Sequence, residues 1–307
     1  MPSLSASLFL AAAACLRAVP YQRGKDRFLL PALQRFAWLR PALQGATFRC
    51  RQADVVWSAD SFPDVMTRTM LVKGTYQEDV VSALTALVQP GDTVIDVGAH
   101  HGLMSIVASR LAGKTGRVIS FEPNPDSLPI LAGHFALNGV GNVTIEPLGL
   151  MDKESVELFY ANRGSYSWNS TFIREFADDG SRAQAVEIKT TTLDRYCEET
   201  HCRPALLKID TEGSEFLVLN GSRRTLEAAR PHLIIEFNPI SAKSAGVTLG
   251  EIAAFLRSLG YELFALPRDA FGRYRFANRR VVTDADLTGD EGLQNVVCVS
   301  PQRGAQP

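Results

Sequence analysis

The segment Leu206-Leu-Lys-Ile-Asp-Thr-Glu-Gly213 closes an apolar run with two carboxylates and sets a lysine two residues before the first of them. Alternation along an extended strand puts Lys208 and Asp210 on the same side. A carboxylate at a strand end can remove a proton or orient a substrate group, and a neighbouring ammonium lowers its pKa. Asp210 is therefore the first candidate for a general base and Glu212 the second, with Lys208 as their charge partner. The plainer alternative is a structural ion pair, with Glu212 capping a helix that opens at Ser214. Glu236 ends the next apolar run and is expected to face the same cleft, as a substrate contact or as a loop partner.

A second concentration of chemistry is Val94-Ile-Asp-Val-Gly-Ala-His-His-Gly102. A strand ending in Asp96 and breaking at Gly98 lets the backbone turn tightly against a ligand. Gly102 opens a helix whose N-terminal amides attract a carboxylate or phosphate. The spacing D-x-G-x-x-x-G lacks the third glycine of a nicotinamide fingerprint. Glu122 ends the following strand, where an acid can accept hydrogen bonds from ribose hydroxyls. Turn, helix and acid together specify an adenosine-containing ligand. His100 and His101 have no partner at ligand spacing, and no metal is expected. His100 is expected to line the ligand pocket and His101 to sit partly exposed in the first turn of the helix. Farther on, Tyr166-Ser-Trp-Asn-Ser-Thr-Phe172 mixes aromatics with hydroxyls and amides, as a carbohydrate-binding surface would. Trp168, Ser170 and Thr171 are its candidate substrate contacts.

These residues need a scaffold that brings strand ends together. From Gln77 onward, apolar runs alternate with helical periods, the pattern of a parallel sheet with crossover helices. Strands are predicted at Thr93–Val97, Arg117–Glu122, Val143–Glu146, Leu206–Asp210, Leu233–Phe237, Tyr261–Leu266 and Asn295–Ser300. Seven core strands make a doubly wound α/β sheet the expected fold. Ser155–Tyr160 and Val186–Thr190 also read as strands, around a long loop near residues 161–185. Thr248-Leu-Gly-Glu251 is a capping box. The chain is expected to divide into an extension over residues 1–73 and a main domain over residues 74–307.

Bulk properties narrow the partners. The 307 residues are 46% apolar and carry a net charge of −1, so no broad nucleic-acid-binding field is implied. Residues 1–51 carry +7 and the rest −8. The apolar run Leu8–Leu16 is too short to span a bilayer. As a basic, apolar start it is expected to be a helical extension packed on the main domain, with weak attachment to an anionic membrane surface, and with transit-peptide and membrane-surface-helix readings as alternatives. Five scattered cysteines point to a reducing compartment, hence the cytoplasm, possible peripheral membrane contact aside.

The ordered set IDVGAHHG (95–102), FEPNP (121–125), TTLD (191–194), LLKIDTEGSE (206–215), VLNG (218–221) and IIEFNP (234–239), with the lead-in KGTYQE (73–78), resembles the FkbM family of S-adenosylmethionine-dependent methyltransferases. The family usually has Asn and a hydrophobic residue where this chain has His100-His101. The resemblance implies a Rossmann-like sheet of seven strands, the last antiparallel. It implies that Asp96, Gly98, Ala99, His100 and Gly102 hold the methionine end of S-adenosyl-L-methionine. Glu122, with Pro123, would take the ribose, and Glu78 would support the amino group. It favours O-methylation of a sugar, glycolipid or polyketide-like hydroxyl. A non-catalytic cofactor-binding module and a nicotinamide oxidoreductase are the alternatives.

Overall fold

The computed structural model describes residues 11, 13–14, 43–61, 64–162, 169–177, 183–269, 273–288 and 295–301. An antiparallel pair, β1 (Thr47–Arg49) and β2 (Val56–Ser58), comes first. Helix α1 (Val65–Lys73) follows; the Asp64 side chain accepts from the Thr67 amide, and Gly74 closes the helix in the left-handed region. Then come α2 (Glu78–Leu87), β3 (Thr93–Val97), α3 (Leu103–Ala112), β4 (Arg117–Phe121), α4 (Leu128–Leu137) and β5 (Val143–Glu146). Strands β6 (Gly149–Leu150), β7 (Ser155–Ala161) and β8 (Gln184–Thr191) precede α5 (Leu193–Thr200), β9 (Leu206–Ile209), α6 (Glu215–Asn220), α7 (Arg223–Ala229) and β10 (His232–Glu236). The last elements are α8 (Pro239–Ser244), α9 (Leu249–Ser258), β11 (Glu262–Ala265), β12 (Arg280–Val281), α10 (Asp284–Thr288) and β13 (Asn295–Val299).

The main sheet has the order β12-β11-β13-β10-β9-β3-β4-β5. Strands β10, β9, β3, β4 and β5 pair in parallel, and β13 runs antiparallel to both of its neighbours. The seven expected strands are all present, and β12 adds an eighth. It has two residues, both exposed, so it carries no apolar period to betray it. Strands β7 and β8 leave this sheet and form a smaller one in the order β6-β8-β7. Helix α9 opens with the expected capping box between Thr248 and Glu251.

The parity of the strands sorts their side chains into two cores. Val94, Leu206, Ile234 and Val297 face one side of the sheet and pack with Leu84, Ile106, Leu131, Trp57 and Met70. Ile95, Leu207, Ile235 and Val296 face the other and pack with Leu219, Leu226 and Leu256. Residues of β1, β2 and α1 thus contribute to the same core as α2 and α3. Trp57 is fully buried there, and its Nε1 donates to Thr67 Oγ1 at 3.1 Å. A side chain of this size held out of water stabilises by about 3 kcal/mol. Among the described residues no helix is long and apolar enough to cross a membrane.

Candidate active site

A cavity of about 510 Å³ opens at the carboxyl ends of β3, β4, β9 and β10, roofed by the start of α2 and by residues of the loop after β7. This is the switch in strand order, where open α/β sheets bind ligands, and the volume suits a small-molecule site.

Register explains which side chains meet. Asp96 of β3 lies opposite Lys208 of β9, and Ile209 lies opposite Ile235 of β10. One step beyond that last pair, Asp210 and Glu236 emerge side by side. Lys208 Nζ stands 3.2 Å from Asp96 Oδ1 and 3.6 Å from Asp210 Oδ2, and donates to the Gly98 carbonyl at 3.0 Å. Burial opposes charge on Lys208, but Asp96 and then Asp210 outweigh it and hold the ammonium above its ordinary range. Gln77 Nε2 donates to Asp210 Oδ2 at 3.1 Å from a left-handed backbone, φ 45°. The sequence marked Gln77's segment as a lead-in; nothing local marked the residue, whose partner lies 133 positions away.

Gly98, Ala99, His100, Glu78, Glu122, Pro123, Ser170, Lys208, Asp210, Glu212 and Glu236 line the cavity. Asp96, Gly102 and Thr171 do not. Asp96 is 1% exposed; its Oδ2 accepts from Ser105 Oγ at 2.6 Å, and Ser105 Oγ accepts from Ser120 Oγ at 2.7 Å. It anchors Lys208 from behind the cavity wall. A Cβ on Gly102 would lie 2.4 Å from Leu131 Cδ1, so this glycine admits α4. A Cβ on Gly98 would lie 1.9 Å from the Asp210 carbonyl oxygen, at φ 76°. The backbone pressed against Gly98 is that of Asp210, and this close approach sets the two motifs edge to edge. Thr171 is buried and donates to the Glu212 carbonyl at 2.7 Å, fixing the loop to the end of β9. Trp168 lies outside the described residues.

Glu122 accepts from the His100 amide at 2.6 Å and from the Asn124 amide at 2.8 Å, one on each carboxyl oxygen. Burial outweighs these bonds and raises its pKa to about 7. Glu215, the first residue of α6, accepts from Thr211 N and Oγ1 and from Gly213 N at 2.8 to 3.2 Å. It is Glu215, and not Glu212, that ties the turn before the helix. Glu212 and Glu236 each keep an Oε2 sealed from solvent with no hydrogen-bond partner. Burial first, and Asp210 second, push both carboxyls well above their ordinary range. Tyr76, also at the cavity, is raised by burial and by the same acids.

The two histidines behave differently from each other. His100 adopts φ 50° and lines the cavity; burial, then Lys208, lowers its pKa to about 3, so the ring is neutral. His101 was expected to be partly exposed and is 1% exposed. It stacks on His100 with ring centroids 3.7 Å apart, while His134, itself stacked on Trp57, closes over it at 6.2 Å. Strand β2 covers this corner, and the local sequence gave no sign of that cover.

The FkbM methyltransferase domain model matches residues 96–263. Over 71 residues the chain is 37% identical to the ribosomal protein L11 methyltransferase of Pelotomaculum thermopropionicum, a match covering 23% of this chain and 22% of that protein. The crystal structure of an FkbM methyltransferase from Methylobacillus flagellatus aligns with a TM-score of 0.42 and 14% identity, over 92% of this chain and 62% of that one. An S-adenosylmethionine-dependent O-methyltransferase of Thermotoga maritima aligns with a TM-score of 0.40 and 14% identity, over 80% and 77%. The chain thus spans about a fifth of the curated relative and about three fifths of the Methylobacillus structure. Matched by the domain model over more than half its length, the chain belongs to the FkbM methyltransferase family, whose cofactor is S-adenosylmethionine.

Proposed function

We propose that this protein is an S-adenosylmethionine-dependent O-methyltransferase acting on a hydroxyl of a sugar, glycolipid or polyketide-like molecule. The observation that carries the reading is the cluster of Asp210, Glu212 and Glu236 in the same cavity as Glu122 and the Gly98–His100 turn.

The residues present fit the cofactor. Glu122 has both oxygens on backbone amides, and the remaining lone pairs are free to accept from ribose hydroxyls. Gly98, Ala99, His100 and Glu78 would hold the methionine end, with Pro123 beside the ribose. Asp96 would act one layer back, through Lys208. When bound, the cofactor supplies a methyl group on a sulfonium. The chain's task is then to orient an acceptor oxygen and take its proton. Asp210 is placed for this, held by Gln77 and Lys208. The loop around Ser170 and the half-buried acids would receive a polyhydroxylated acceptor, because buried carboxylates seek hydroxyl donors.

The test is incubation with methyl-labelled S-adenosylmethionine and a panel of sugars, glycolipids and polyhydroxylated small molecules, with the product read by NMR. Label on oxygen, lost in Asp210→Asn, supports the reading. Label on nitrogen or carbon, or none in protein that binds the cofactor, contradicts it.

A further inference from the structure

We propose that Asp210, Glu212 and Glu236 form a binding site for one hard divalent cation of the Mg²⁺, Mn²⁺ or Ca²⁺ type. A carboxylate pair at these strand ends could bind a divalent ion, but nothing in the sequence demands one. The fold gathers the three acids: one carboxylate oxygen from each lies within 4.8 Å of the others. Oxygens around Ca²⁺ sit about 2.3–2.6 Å from the ion, so opposite ligands are about twice that apart. Three oxygens at this spacing fit one coordination shell. Mg²⁺ would need a slight contraction of flexible glutamate side chains.

A second observation points the same way. Glu212 Oε2 and Glu236 Oε2 are buried and accept no hydrogen bond. A buried carboxylate oxygen without a donor is costly, and the neighbouring acids Glu122 and Glu215 are each satisfied by backbone amides. Lys208 does not fill the gap: it is taken up by Asp96, Gly98 and the Asp210 oxygen on its own side. A cation between the three acids would give both glutamate carboxylates a partner.

A second cluster of potential ligands among the described residues, Asp64 with His100 and His101, is a poor rival. Its two rings are stacked 3.7 Å apart and 17° from parallel. Imidazole binds a metal in its ring plane, and one ion cannot lie in both planes. In the acidic site, by contrast, carboxylates leave open positions for water or for oxygens of an acceptor. An acceptor hydroxyl sharing the ion would lose its proton more readily, so the carboxylate receiving that proton need not be strongly basic. The site itself does not depend on the methyl-transfer reading.

The experiment is Mn²⁺ titration of the chelator-treated full chain, followed by the loss of the free-ion EPR signal, with Ca²⁺ and Mg²⁺ as competitors. Wild type is expected to bind one Mn²⁺ per chain, displaced by Ca²⁺, and Glu236→Gln and Glu212→Gln to weaken it at least about tenfold. Urea unfolding of the same samples checks that each variant is folded, and a calorimetric titration with S-adenosylhomocysteine reports separately on the methyl-transfer reading. Folded wild type that takes up no Mn²⁺ at millimolar concentration overturns the proposal; the two glutamates then carry protons. Mn²⁺ binding unchanged in the Glu212→Gln, Glu236→Gln double variant overturns it equally.

Discussion

Glu215 and Glu236 are neighbouring acids of one sheet end with opposite surroundings. Glu215 is 3% exposed, and backbone and hydroxyl donors of Thr211 and Gly213 satisfy it. Glu236 faces the cavity with one oxygen sealed and unpartnered, pushed toward its protonated form by burial and by Asp210. Glu215 opens α6, beyond the end of β9, whereas Glu236 closes the apolar run of β10. The first is part of the scaffold; its donors come from its own turn, so it is complete within the fold. The second has been carried to a place where only an added group can complete it. Glu215, with its bonds made, holds structure; Glu236, with a bond missing, faces the site.

The sharpest way to break this contrast is on activity. Asp210→Asn removes the proton acceptor and should lower kcat by about 10²- to 10⁴-fold, with S-adenosylhomocysteine affinity little changed in the same preparation. Next is stability. Glu215→Ala leaves buried donors of Thr211 and Gly213 unsatisfied and should cost about 3 kcal/mol in urea unfolding. Glu236→Gln in chelator-treated protein should cost less than about 1 kcal/mol or even stabilise, because it replaces a carboxyl the fold does not satisfy. Equal losses in the two variants would erase the distinction. Ser105→Ala cuts the chain from Ser120 to Asp96 and should cost about 1–2 kcal/mol, again by urea unfolding.

A pH series sharpens the cofactor half of the site. Glu122 rises from 4.5 to about 7 in the fold. The folded state therefore favours its protonated form, and ionisation weakens the fold as the pH climbs between those values. The ribose needs the ionised form. Affinity for S-adenosylhomocysteine should be flat above about pH 7 and fall at most about tenfold per unit below it. Calorimetry from pH 8 to 5.5 measures this. His100, held neutral by burial with a pKa of about 3, should contribute nothing across that range.

Much of this scaffold could be read from local pattern. The apolar runs of β3, β4, β9 and β10 are bounded by glycine or acid, so the strands and the acids at their ends were legible together. Parity also put Lys208 and Asp210 on one face. Asp96 was harder: the motif named it a cofactor residue, whereas the alternation that aligns it with Lys208 turns it behind the cavity wall. His101 was misplaced because β2 and α4, which bury it, come from distant segments. Gln77 and Tyr76 went unnoticed as site residues for the same reason, as did Tyr274 and Asn295, which reach the cavity from the C-terminal part of the chain. What escaped the sequence depends on contacts over long separations, which no local period encodes.

The most direct test of the account is calorimetric titration of the full chain and of Glu122→Ala with S-adenosylhomocysteine. Wild type should bind with micromolar affinity, about −8 kcal/mol, and the variant should lose most of that affinity; urea unfolding of the variant checks that it is folded, because the His100 and Asn124 amides lose their acceptor. No binding to folded wild type, or equal binding to both proteins, would contradict the account.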